Sequence, residues 1–472
     1  MASKIVSEEL DVKQEEMSAS LGFQAGEWEE ACYRRGCQVA REEAIRSLAI
    51  IEEKLYAARP KGWRVIGFRE RTLVTRFGDI TVRRRLYQDT QGEYHFLLDE
   101  YLNWRPYQQA TVSLTEAVVD SATKSTFRTV SREVEKYSAG VLSASSIHRI
   151  LQRVSGDAIS GEKQELEDCF EKGDLPPPGD RKTSVLYVEA DGLRVRLQRE
   201  GKQKHYELKN AIAYDGWELL PQEDERYRLL SKRVYCHGDN SMPFWDAASL
   251  VWHRQWDLGY TKLIVLGGDD APWIDKGEKE LAFCVRNLSG FHLSRSCRRG
   301  WKNGGEVYDA IRSGRVHELI VNPVQRSGKT AKKNRQYALE RLEKGMDWRM
   351  KVQGTSLASI VPADARGLGA IEGNQSHLFS DRMKDRGMSW TIKGAQHMGK
   401  AIQLIANGEL SDWCGRKPAN TEMRYSSLSF HLFDELDGSG NRTAIPALVG
   451  PHASRPWASI LRSMTRNTHL LN

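Results

Sequence analysis

The sequence predicts an α/β chain, on three observations. Short apolar runs of strand length, Val185-Leu186-Tyr187-Val188 and Leu263-Ile264-Val265-Leu266, lead to the acidic residues Asp191 and Asp269. Segments with helical spacing alternate with segments of period two, which is the pattern of helices layered on sheets. The proline-rich stretch Leu175-Pro176-Pro177-Pro178-Gly179-Asp180 reads as a stiff linker between a first half and a second.

A chain of 472 residues is long enough for two to four units with a sizeable core. The net charge of +7 is modest, but the cations are grouped, with Arg69, Arg71, Arg76, Arg83, Arg84 and Arg85 in one block and Lys329, Lys332, Lys333 and Arg335 in another. Grouping favours a phosphate backbone as partner, because neighbouring cations release condensed counterions together. A solvated surface accounts for either cluster by itself. The acidic stretch at residues 1–14 lacks the apolar centre of a signal peptide, and no run reaches the ~18 apolar residues of a membrane span. A soluble intracellular protein with no membrane partner is therefore expected. The seven cysteines are odd in number and scattered, so reduced thiols are expected rather than a disulfide framework or a four-ligand zinc site.

Taken in order, residues 1–60 form an N-terminal helical region, with Ala31, Ala40, Ala44, Ile45, Leu48, Ile51 and Leu55 mostly at helical intervals until Arg59-Pro60-Lys61-Gly62 ends them. Residues 61–105 turn to period two, with turn signals at Phe77-Gly78-Asp79 and Thr90-Gln91-Gly92, and predict a small antiparallel sheet. Its third run carries Arg83, Arg84 and Arg85 on both faces, for phosphate contact or as a guard against edge pairing. Residues 106–174 are helical in three segments, 112–122, 127–137 and 145–154. The last two, joined near Ser138-Ala139-Gly140 and capped by Ser143 or Ser145, resemble a helix-turn-helix. Its second helix presents Ser145, Ser146, His148, Arg149, Gln152 and Arg153, which can reach bases and phosphates, unless the pair is a helical hairpin with a polar face.

Residues 181–400 form the expected catalytic domain. Three strand-like runs, 184–190, 193–198 and 206–214, are separated by Asp191-Gly192 and by a polar turn at 199–204. Three antiparallel strands with a carboxylate on the first are how an RNase H-like fold begins. A helix at 243–254 and a strand at 262–266 follow, then Gly267-Gly268-Asp269-Asp270 at the carboxyl end of that strand, where α/β sheets hold ligands. Asp191 and Asp269 are thus expected side by side. With Glu372, which opens a helix-like stretch, they make a trio of hard oxygen ligands of the kind that holds magnesium for phosphoryl transfer. Any one of these carboxylates could equally be a turn former or a helix cap.

Glu189-Ala190-Asp191-Gly192, residues 208–217 (LKNAIAYDGW), 267–274 (GGDDAPWI), Phe291-His292, 371–395 (IEGNQSHLFSDRMKDRGMSWTIKGA) and 71–87 (RTLVTRFGDITVRRRLY) together resemble bacterial insertion-sequence transposases of the ISLre-two type, which are similar to Mutator-like transposases. The resemblance covers most of the chain. It implies an RNase H-like DDE domain with Asp191, Asp269 and Glu372 as catalytic metal ligands, and Mg2+, with Mn2+ as the alternative ion. Asp270 stands where the related pattern has Gly, so either adjacent carboxylate can be the second ligand, with Asp269 preferred. His292 is auxiliary, at the scissile phosphate or in the core against Phe291. An all-helical insertion at about 298–362 is expected, with residues 325–335 as a mobile basic loop and Val316–Ile320 (316–320), Tyr337 and Trp348 among its apolar anchors. Arg382 and Lys384 are expected to anchor DNA phosphates beyond Glu372, and 401–472 to be a C-terminal tail.

The resemblance further implies terminal inverted repeats and target DNA as double-stranded partners, a homo-oligomer, and a cytoplasmic, nucleoid-associated enzyme that cleaves DNA and transfers the strand. The competing readings are an element-derived DNA-binding protein without catalysis, and a metal-dependent nuclease without strand transfer.

Overall fold

The computed structural model describes residues 27–415 apart from 139, 199–202, 222–225, 239–241, 270, 314–323 and 344–347. The acidic N-terminal stretch, Asp270, the anchors at 316–320 and the tail from 416 onward lie outside the described residues. Among those described, no helix is long and apolar enough to cross a membrane. They divide into two compact units, one of residues 27–41, 72–81 and 107–415 and a smaller one of 42–71 and 82–106.

Helix α1 (Glu27–Ala57) and strands β1 (Arg64–Thr75) and β2 (Gly78–Gln88) run through both. The smaller unit adds β3 (Tyr94–His95), paired antiparallel to β2, and the short helix α2 (Leu97–Tyr101). Period two on β2 puts Val82 and Arg84 on the buried face and Arg83 outside. The inward guanidinium of Arg84 is answered by Asp99, which Arg71 also reaches at 2.7 Å.

The larger unit begins with α3 (Val112–Lys124), α4 (Phe127–Ser138) and α5 (Ala144–Lys172). Ser143 caps α5 by accepting from the Ser146 amide at 3.1 Å. The sequence places the end of this helix near Val154, but it runs on to Lys172 and stops at Gly173, φ +79. The continuation is held by the core, since Ser155, Ala158 and Glu162 are buried inside the fold. The proline stretch then lies along residues 253–255, with the Gly179 amide donating to the His253 carbonyl at 2.7 Å.

Five strands follow in one sheet: β4 (Val185–Arg196), β5 (His205–Tyr214), then, after the separate hairpin β6 (Gly216–Leu219) and β7 (Tyr227–Leu230), β8 (Arg233–His237), β9 (Leu263–Gly268) and β10 (Cys284–Leu288). Their order is β10-β9-β4-β5-β8, with β5 antiparallel to both its neighbours, β4 and β8, and with β9 and β10 parallel to β4. The turn expected at Asp191-Gly192 is absent. The first two predicted strands are one, and Asp191 pairs with Asn210 in mid-strand. At Gly192 the Glu207 side chain of β5 folds into the space that a Cβ would take.

Helix α6 (Phe244–His253) leads into β9, and α7 (Pro272–Glu280) links β9 to β10. Beyond β10 come α8 (Gly290–Gly300), α9 (Gly304–Arg312), α10 (Lys329–Glu343) and α11 (Trp348–Val352), then α12 (Ala370–Asn374), a π-helical turn (Gln375–Ser380), α13 (Asp381–Met383), α14 (Ile392–Ala406) and α15 (Leu410–Gly415). The basic stretch expected as a loop at 325–335 is mostly the start of α10, whose Lys, Ala, Gln and Arg residues are good helix formers. Arg335 fastens it by donating to the Gly300 and Arg326 carbonyls at 3.0 and 2.6 Å. The expected tail likewise begins as helix, with Leu410 and Trp413 buried in the core.

Both faces of the sheet are covered. Tyr187, Leu193, Leu208, Ile212 and Val265 face α3, α5 and α14, while Leu186, Val188, Ala211 and Leu266 face α6 and α7. The regions expected at 106–174 and 181–400 therefore share one core. Deep between α5 and α14, Lys400 pairs with Glu162, and Gln403 donates to Glu162 at 3.0 Å. Glu162→Ala would leave an unpaired buried ammonium and is expected to cost about 3–5 kcal/mol. The Glu162→Leu, Lys400→Met double variant removes both charges and is expected to lie much closer to wild type by urea denaturation; equal losses in the two would refute this account.

Candidate metal centre

Because β4 pairs with β9 through Ala190 and Gly268, the next residues, Asp191 and Asp269, stand on adjacent strands at the same level. Both lie on the sheet face shared by Val185, Tyr187 and Val265, since alternate residues point the same way. Gly267 keeps this spot tight, as a Cβ there would meet the Glu189 side chain at 3.1 Å. Asp191 is buried, and its Oδ1 accepts from the Gly192 amide at 2.7 Å. The Asp269 Oδ1 accepts from the Ala271 amide at 2.9 Å, just ahead of α7.

Two more groups arrive from distant segments. His292 comes on α8 and Glu372 on α12, with the His292 Nε2 3.0 Å from the Glu372 Oε1. One ligand atom each from Asp191, His292 and Glu372 lie within 4.8 Å of one another. Of the sequence trio, then, Asp191 and Glu372 are drawn together with His292, and Asp269 stands beside Asp191 without joining that tightest group.

Burial and mutual charge shift the titration of these groups. Burial, then the Glu372 charge and more weakly that of Asp269, push Asp191 up to about 6, against the pull of the Gly192 amide and of His292. The hydrogen bond to Glu372 raises His292 above its usual range despite burial, helped by the charges of Glu372, Asp269 and Asp191. An unfolded Asp titrates near ~3.9, so between there and 6 the native state binds the extra proton, and this stability is lost as pH rises through 6. His292 works in the same direction, its stabilisation being lost as pH rises through its own raised pKa. The metal-free protein is expected to lose about 2–3 kcal/mol from Asp191 across that window. Thermal melts near pH ~5 and ~7.5 should show a smaller drop in Asp191→Asn than in wild type; the same drop in both would exclude Asp191 as its source.

Glu189, two residues before Asp191 and on the same face, is the residue that sequence reasoning left without a role. Its Oε1 accepts from the Tyr214 hydroxyl at 2.6 Å and the Ala370 amide at 3.1 Å, and its Oε2 from the Ile371 amide at 3.1 Å. One buried carboxylate on the Asp191 strand thus ties down the first turn of the helix that bears Glu372. A carboxylate two residues before Asp191 on a strand-like run, and so on the same face, was the signal that could have found it. Asn374, on the same helix, accepts from Lys232 at 2.8 Å. The π-helical turn that follows Asn374 is a register shift of a kind frequent at functional sites. Arg286 of β10 donates to the Asp269 carbonyl and reaches Asp275 at 3.3 Å, fixing the end of β9.

The residues expected to contact DNA divide into exposed and engaged. Arg83 is exposed and stacks over Phe68 at 4.0 Å, Arg84 is buried against Asp99, and Arg85 is bound to Glu52 and Glu53. Ser146 is buried in the cap of α5, where Arg149, itself exposed, donates to its hydroxyl at 3.3 Å. Gln152 and Arg153 are half-buried. Arg382 is buried, donating to the Ala122 carbonyl at 2.8 Å and lying over Trp390, and Lys384 is exposed. Arg84, Ser146 and Arg382 are thus spent inside the fold, because period two or helical spacing turns each one inward.

Fold and site together define a mixed α/β protein with two carboxylates and an imidazole converging beside the end of its central parallel strand pair. Residues 19–415 match the family described as "Uncharacterised protein family (UPF0236)", and the chain belongs to that family. It is 25% identical to the "UPF0236 protein in vanSb 3'region" of Streptococcus gallolyticus, over 74% of this chain and 75% of that protein. It is 24% identical to a UPF0236 protein of Caldanaerobacter subterraneus subsp. tengcongensis, over 78% of this chain and 74% of the relative, whose name joins eleven designations in that organism.

Proposed function

We propose that this protein is an insertion-sequence transposase, a DNA-cleaving and strand-transferring enzyme with an RNase H-like catalytic domain and a helical insertion after β10. The observation that carries the reading is the convergence of Asp191, Glu372 and His292, with Asp269 on the neighbouring strand. Sheet order supports it too, since three antiparallel strands flanked by two parallel ones, with a carboxylate on the first strand, agree with that fold. A name that joins eleven designations in one organism is what copying of a gene within a genome leaves behind, and it favours a mobile element in the relative.

The donor set fits a divalent cation: two carboxylates and an imidazole lie close enough to share one ion, and Asp191 is raised first by burial and then by the neighbouring Glu372 charge, both of which a bound cation would offset. Asp191, Glu372 and either His292 or Asp269 would hold it. Magnesium or manganese bound there would neutralise a scissile phosphate and lower the pKa of an attacking water or 3′-hydroxyl. The chain's own part is orientation. Glu189 holds the Glu372 helix against β4, Arg286 holds the Asp269 backbone, and where Asp269 takes the third ligand position His292 is left to donate to a phosphate oxygen. The exposed Arg83, Arg149 and Lys384 remain available for DNA phosphates.

The test is incubation of the full chain with DNA carrying the ends of its own genetic element, with Mg2+, Mn2+ or chelator. Cleavage at the ends and joined products are expected only with metal. Cleavage without joining would favour a nuclease, and selective end binding without cleavage a DNA-binding protein that has lost catalysis.

A further inference from the structure

Next to the candidate metal centre, Phe291, Ser294, Arg295, Arg298 and Arg299 of α8 and Tyr308 of α9 line a cavity of about 550 Å³. Its volume falls in the range of small-molecule sites, roughly 300–1,000 Å³. Phe291, Arg295 and Arg298 follow one another at four and three residues, so they share one face of the helix. Phe291 is 52% exposed, and its ring meets that of His292 edge-on at 5.4 Å. The cavity therefore starts one side chain from the group that touches Glu372.

Three guanidinium groups in five residues repel one another, and among the described residues none of them has a carboxylate partner. The C-terminal end of α8 attracts cations, which accounts for Arg298 and Arg299. It accounts neither for Arg295, a turn earlier, nor for a large aromatic ring left open to water beside them. Cations that take phosphate, an aromatic face and a concave wall make the chemistry of a nucleotide.

We propose that this cavity holds one unstacked nucleotide of a DNA strand, with its phosphate against Arg295, Arg298 and Arg299 and its base on Phe291. That the nucleotide belongs to a strand, rather than being free, rests on the DNA-cleaving reading of the adjacent site. Held there, it leads the strand past His292 toward Asp191 and Glu372.

The experiment measures fluorescence anisotropy of the full chain, without metal, with a labelled oligothymidylate of about twelve nucleotides and with a duplex of the same length. Phe291→Ala and Arg298→Gln are compared with wild type, with circular dichroism to check the fold. Each variant is expected to weaken single-strand binding about tenfold, the size of one lost stack or charge contact, and duplex binding less. Wild-type single-strand affinity in both variants overturns the proposal. So does ATP binding that is lost in the variants while strand binding persists, since the site would then take a free nucleotide. Cleavage assayed on the same wild-type protein with Mg2+ keeps the two readings apart. Strand binding that needs Phe291 in a chain that never cuts DNA sustains the cavity and removes the catalytic reading. Cutting with variant-independent strand binding does the reverse.

Discussion

Asp191→Asn and Glu372→Gln are each expected to lower metal-dependent DNA cleavage by roughly 10²–10³-fold or more, because each keeps its shape while removing a charge from the metal's ligand set. Binding to DNA in the absence of metal should persist, as the exposed arginines are untouched. Asp191→Asn carries a second signature. The native state keeps Asp191 protonated up to about 6, a sign that its charge is disfavoured when no metal is bound. Removing that charge should make the metal-free protein more stable near neutral pH while making it inactive, a trade of stability for function that marks strained sites. Asp269→Asn compared with Asp270→Asn identifies the second carboxylate of the site; full activity in the former and loss in the latter assigns it to Asp270. An Asp191→Asn protein that cleaves at the wild-type rate ends the metal-centre account.

The largest structural effect is expected at Glu189, which is 1% exposed. Glu189→Ala strips acceptors from the Tyr214 hydroxyl and the Ala370 and Ile371 amides and leaves a cavity, for a loss of about 3–5 kcal/mol. Glu189→Gln separates packing from positioning. The glutamine fills the space, but with its oxygen toward Tyr214 and Ala370 it turns an NH2 group toward the Ile371 amide, donor against donor. This variant should stay folded, while the helix that bears Glu372 shifts and Mn2+ affinity falls about 10–100-fold, the effect usual for groups that orient metal ligands. Isothermal titration with Mn2+ checks it, and an unchanged affinity would show that Glu189 serves packing only.

Much of the fold was legible because the signals are local. The unbroken apolar runs at 185–188 and 263–266 mark strands whose alternate side chains meet opposite cores, and the serine before α5 marks a helix start that Ser143 does cap. The misreadings have one source. Asp191-Gly192 has the composition of a turn, but neighbours on both sides supply ladder partners, so the strand runs through it. Residues 325–335 have the composition of a loop, but the Gly300 carbonyl and the Arg326 carbonyl receive Arg335 and the segment winds into α10.

Local signals sufficed to mark many of the helices and strands and to single out Asp191, Asp269 and Glu372, since backbone propensity and side-chain alternation act over a few residues. Which charges meet depends on the packing of distant segments. His292 reaches Glu372 because α8 and α12 converge on the same face of the sheet, and Glu189, silent in the sequence, joins β4 to α12. Arg84 and Arg382, counted as cations for DNA, are instead consumed by Asp99 and by the Ala122 carbonyl. The physical reason is that a charge's role depends on its partner and its burial, and both are set by segments that lie far away along the chain.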